Sequence, residues 1–117
     1  MRTRLLAAVS ALAVFSAVAL TGVAGAREPA KTRVTIHYSG DGFYGKLKST
    51  RAKCVRNRKV KVYKLKHGTA QKLYSDISDH DGHWDTGNSG QVHGRFYAHT
   101  RRISGCKGGT SETLHIP

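Results

Sequence analysis

The chain predicts a single antiparallel Greek-key β-sandwich of about seven strands with one disulfide, preceded by a signal peptide. Three observations point there. Alternating apolar and polar residues recur after position 30, at intervals set by Gly, Asn, Asp and Ser clusters. Helical periodicity is hard to find in the same stretch. The chain has 117 residues and only two cysteines, Cys54 and Cys106. That length leaves room for one small domain and excludes a TIM barrel or a doubly wound cofactor fold.

The first 26 residues read as a secretory leader. Arg2 and Arg4 form a positive n-region, an apolar run follows from Leu5 to Leu20, and Ala24-Gly25-Ala26 supplies small residues for cleavage. The domain plan is a signal peptide over 1–26, an N-terminal tail over 27–32 and a β-sandwich over 33–117. The expected location is extracellular, with no integral membrane segment after cleavage. A remainder of about 90 residues buries a modest share of its surface and is marginal without a staple. Oxidising conditions make a Cys54–Cys106 bridge the economical reading. A pair of metal ligands is the competing one, but it lacks a CxxC and any partner pair.

Taken in order, Arg33 to Tyr38 alternates with Val34, Ile36 and Tyr38 on one face. Ser39-Gly40-Asp41-Gly42 is a turn cluster. Phe43 to Lys48 sets Phe43, Gly45 and Leu47 against Tyr44, Lys46 and Lys48. Lys59 to Lys66 begins with Val60 and Val62 inward and ends with Tyr63 and Leu65 on the other side, which predicts a bulge or a strand that switches sheets. Leu73-Tyr74 marks a short strand. Asp81-Gly82 is a hairpin signal ahead of Trp84, which is expected in the core. Gln91 to Thr100 and Thr113 to Ile116 complete the set of strands.

The strings Phe43-Tyr44-Gly45-Lys46-Leu47-Lys48-Ser49 and Arg58-Lys59-Val60-Lys61-Val62-Tyr63, with Cys54 between them, resemble a group of small secreted bacterial β-sandwich domains. These are similar to the regulatory, transthyretin-like sandwich of carboxypeptidases. Ser78-Asp79-His80-Asp81-Gly82-His83-Trp84 resembles that group's T-D-x-x-G-x-aromatic hairpin, with Ser in place of Thr. Gly94-Arg95-Phe96-Tyr97-Ala98 resembles its G-x-Y-Y-A strand, with Phe in place of the first Tyr. The resemblance spans residues 34 to 116 and implies an accessory or binding domain with no catalytic centre to carry over.

Charge is the strongest chemical feature. Lys and Arg number 20 against 7 Asp and Glu, a formal net charge of +13. No acid stands between Asp41 and Asp76, a stretch dense in Lys and Arg. The candidate binding set is Lys46, Lys48, Arg58, Lys59, Lys61, Lys64, Lys66 and Tyr63, a cationic stripe if the two strands are neighbours. Such a stripe attracts polyanions by releasing their counterions. The expected partners are anionic polymers of the cell envelope or extracellular space, held by a monomer. No helix-turn-helix, RNP or zinc-finger pattern supports specific nucleic-acid recognition. Charge serving only solubility, in a structural or protein-interaction domain, is the alternative.

The seven histidines raise two further possibilities. His80 and His83 flank the Asp-Gly turn among Asp79, Asp81 and Asp85, a donor set suited to Zn²⁺ or Cu²⁺. The plainer expectation is that Asp79 and Asp81 bond turn amides while both histidines stay exposed, so no metal or cofactor is assigned. His93 and His99 on one alternation suggest a small basic nuclease-like hydrolase as a second alternative. There is no G-x-S-x-G and no free thiol once the cysteines pair, so the primary expectation is non-catalytic.

Overall fold

A computed structural model describes residues 27–117. The expected leader, 1–26, lies outside the described residues. The described chain is all-β, with two antiparallel sheets facing each other across one core and a single disulfide. Nine strands form it: β1 (Arg33–Val34), β2 (His37–Ser39), β3 (Gly42–Lys48), β4 (Lys59–Lys66), β5 (Thr69–Ile77), β6 (His83–Asp85), β7 (Gly94–Thr100), β8 (Gly109–Thr110) and β9 (Leu114–Ile116).

In the first sheet β3 is central. β1 and β2 run along one side of it, pairing Val34 with Leu47 and His37 with Tyr44, and β6 runs along the other, pairing Gly45 with Trp84. The second sheet has the order β5-β4-β7, with β8 and β9 along the far side of β7. The chain visits β6 in the first sheet between β5 and β7, so β4 lies beside a strand that is not its sequence neighbour. That is the relation a Greek-key path requires.

The expected count of seven becomes nine for local reasons. The run from Arg33 to Tyr38 is interrupted at Thr35, whose hydroxyl accepts the Lys46 amide at 2.9 Å. Its carbonyl presses on β3 so closely that a Cβ at Gly45 would sit 2.0 Å from it. The other extra strand, β8, is separated from β9 at Ser111, whose hydroxyl takes the Ala98 amide at 2.8 Å. β5 is also far longer than Leu73-Tyr74. It enters through a tight His67-Gly68 turn in which both φ values are positive, at 51° and 79°.

Inward residues of both sheets make the core. Phe43, Leu47, Val60, Val62, Trp84, Phe96 and Ala98 are buried, and Val34 and Ile36 join them. Phe43 lies 4.9 Å from Phe96 and 5.1 Å from Tyr38, in tilted ring contacts. Trp84 is 2% exposed, as its place after the turn predicts.

A second, smaller cluster closes one end. Cys54 and Cys106 are bonded with Cα atoms 5.4 Å apart, and Ala30 packs on them. Ala30 also donates to Gly105 and accepts from Lys107. Ala30, in the segment expected as a tail, thus packs on the bridge, and the carbonyl of Glu28 accepts Arg51 Nη2 at 2.9 Å.

A candidate polyanion-binding face

Three corrections to the expected stripe come from this topology. β3 and β4 are not neighbours but belong to different sheets. Lys46 and Lys48 therefore sit apart from the lysines of β4. Around Lys46 the charge is mixed, since it pairs across the strands with His83, and Tyr44 pairs with Asp85.

The second correction concerns Arg58, which is 2% exposed. Its Nη1 donates to the carbonyl of Cys54 at 2.6 Å and to Thr32 Oγ1 at 3.3 Å. Its Nη2 donates to the carbonyls of Arg101 at 2.7 Å and Lys107 at 3.4 Å. Burial pulls its pKa below the ordinary guanidinium value. Arg58 is a clamp among carbonyls and offers nothing to a ligand outside.

Lys64 is the third. β4 runs against β7 without interruption, and its irregularity lies on the other side, where Val62 pairs with Tyr74 and Tyr63 with Lys72. The extra residue, Leu73, bulges from β5, so β4 keeps its alternation and does not switch sheets. Lys64 consequently shares the inward side with Val60 and Val62. It lies at the end of the sandwich with its Nζ 5.8 Å from the Phe96 ring centroid. Lys66 is exposed at the tip beside the turn.

The remaining residues of β4 meet partners that the sequence did not single out as a set. Lys59, Lys61 and Tyr63 point outward, and registration with β7 and β5 sets His99 and Ser75 beside Lys61, Tyr97 and Lys72 beside Tyr63, and Arg95 and Ala70 beside Leu65. Arg101 continues the row past Thr100, opposite Lys59. The Tyr63 and Tyr97 rings stack at 5.2 Å with 14° between their planes. No carboxylate occupies an outward position of β4, β5 or β7. Ile77 is 53% exposed at the corner of this face. The contribution of β7 was invisible in the charge run because Arg95, Tyr97 and His99 lie beyond the end of that run, past Asp76.

The acids gather elsewhere. Asp79 Oδ1 accepts the amides of Asp81 and His83, each at 2.9 Å. Those bonds, the His83 amide foremost, hold its carboxyl below the ordinary value, with the imidazoles of His83 and His80 adding a smaller pull. One ligand atom each from Asp79, Asp81 and His83 lies within 4.8 Å of the others, all on exposed side chains. His80 contacts Asp81 at 3.6 Å. Asp79 thus bonds turn amides as expected, while Asp81 supplies no such bond. The turn carries the chain from β5 in one sheet to β6 in the other, and so does not join a hairpin within a sheet.

His93 Nδ1 meets the carbonyl of Pro117 at 2.7 Å, and His99 Nδ1 meets Thr110 Oγ1 at 2.9 Å. Six residues of extended chain separate the two by about 20 Å, too far for a shared proton-transfer site. No helix among the described residues is long and apolar enough to cross a membrane. No family model, curated protein or solved structure matches the chain.

Proposed function

We propose that this protein is an exported, non-catalytic β-sandwich module that holds anionic polymers of the cell envelope or extracellular space on the outer face of the β5-β4-β7 sheet. The observation that supports it is the gathering of Lys59, Lys61, Lys72, Arg95 and Arg101 around the Tyr63–Tyr97 pair, with no carboxylate among the outward positions. Cations on one flat surface act together on a chain of negative charge, and each neutralised group releases a counterion. The stacked tyrosines give the polymer's uncharged links an apolar surface to cross. The likeness to transthyretin-like accessory domains fits such a role.

The test is retention of the protein on an immobilised polyanion as salt is raised. Lys59→Gln, Lys61→Gln and Arg101→Gln together should elute the protein at clearly lower salt with an unchanged melting temperature, because all three side chains leave the core untouched. Lys46→Gln with Lys48→Gln should have a smaller effect. Elution that ignores salt, or equal effects of the two sets, would leave the charge with no role beyond solubility.

A further inference from the structure

Within the outer face, one place differs from the flat surface around it. Lys59, Lys61, Tyr63, His99 and Arg101 line a groove of about 180 Å³ between β4 and β7. Two strands and four nitrogen-bearing side chains contribute to it, and none of its walls is acidic. The His99 ring is fixed from behind, since its Nδ1 is engaged by the Thr110 hydroxyl at 2.9 Å. That leaves Nε2 as the ring nitrogen available to a ligand.

We propose that this groove is a subsite for one tetrahedral oxyanion, a phosphate or sulfate ester of the bound polymer; the proposal rests on the polyanion reading above. Its volume is below the roughly 300 Å³ at which pockets begin to enclose whole small ligands. It therefore takes a single charged group and leaves the rest of the chain to run across the surface. The donor set matches such a group. The Arg101 guanidinium presents paired N–H groups in a fork that fits two oxygens of a tetrahedral anion, and each ammonium brings three further donors. A carboxylate has only two oxygens in one plane, so it uses fewer of these donors. Lys61 and His99 face each other across the strands, while Lys59 and Arg101 lie one outward position along, about 7 Å away. Donors at two heights suit oxygens that point in several directions. Beyond them the Tyr63–Tyr97 pair occupies the next row and takes the uncharged link between one ester and the next.

The experiment compares polyphosphate, dextran sulfate and polygalacturonate as probes at one ionic strength, with the full secreted chain. The wild-type protein should bind polyphosphate, dextran sulfate or both about tenfold more tightly than the carboxylate polymer. Lys61→Gln with Arg101→Gln should bring that preference down to parity, whereas Lys46→Gln with Lys48→Gln should preserve it. Titration of inorganic phosphate and of sulfate, followed by the NMR signals of Lys61, His99 and Arg101, identifies which ester is favoured. Equal affinity for all three polymers, or a preference that survives the Lys61 and Arg101 changes, would overturn the subsite while leaving the wider polyanion reading in place. Failure to bind any of the three would remove both.

Discussion

Arg58 shows how far one side chain can depart from what its neighbours in sequence imply. It stands in the middle of a basic run, yet its guanidinium is enclosed and satisfied by three backbone carbonyls and a hydroxyl. Removing it strands those carbonyls without donors, and each such loss costs about 1–3 kcal/mol. Arg58→Gln should lower stability by about 3 kcal/mol, a fall in melting temperature of roughly 12 °C or more for a domain this small, measured by calorimetry. Arg58→Lys should recover little, because an ammonium cannot reach carbonyls on both sides of the fork. Asp79 gives a pH signature. Its carboxyl titrates below its ordinary value, so the stabilisation it lends the turn is complete above about pH 4 and disappears as pH falls through its depressed titration. Asp79→Asn should flatten the acid limb of the melting-temperature profile, and NMR titration should find the wild-type carboxyl below the ordinary range. Neither role was legible beforehand in full. A clamped arginine looks like any other in a charge run, although Asp79 as an amide acceptor followed from its place before Asp-Gly.

Among the strands, legibility followed burial. β3 and β7 alternate cleanly because one side of each packs in the core: Phe43, Gly45 and Leu47 of β3 and Phe96, Ala98 and Thr100 of β7 are buried. β5 escaped notice over its first half because Thr69 to Lys72 are all exposed on an edge, where nothing imposes a period of two. The face change read into β4 does not occur: β4 keeps its alternation with Tyr63 and Leu65 outward, and the irregularity of the pair lies in β5. Lys64 turns inward because Leu73 of β5 takes up the irregularity, and a single sequence does not say which of two paired strands carries a bulge. The link between β1 and β2 presses on β3 at Gly45, where any Cβ would meet the Thr35 carbonyl at 2.0 Å and Trp84 Cζ2 at 2.8 Å. Gly45→Ala should therefore destabilise the protein by about 3 kcal/mol through overpacking, read as a lower urea midpoint with an unchanged slope.

For the molecule as a whole, the two-layer architecture and its single covalent tie were available from alternation, turn residues and two cysteines. The proposed binding face was only half available: β4 supplied Lys59, Lys61 and Tyr63, but Arg95, Tyr97, His99 and Arg101 join them only once β7 is known to lie alongside. The bridge closes a stretch of 52 residues, which corresponds to about 4 kcal/mol of loop entropy. Cys54→Ala with Cys106→Ala should thus lower the melting temperature by roughly 20 °C and leave the protein near the limit of folding. Retention on a polyanion, measured well below that temperature, should fall only slightly, since Arg101 alone among the proposed cations stands at the end that the tie closes.

The Arg58 clamp has a further effect on the order of events. Ala30, Thr32, Cys54, Arg101, Cys106 and Lys107 are fastened together at one end of the sandwich, by sulfur and by hydrogen bonds through the same guanidinium. The backbone of Ala30 thus latches onto Gly105 and Lys107, both made after β7. A nascent polypeptide emerging amino end first cannot close this end until residue 107 is free, so the latch forms only after β1 to β7 have been made.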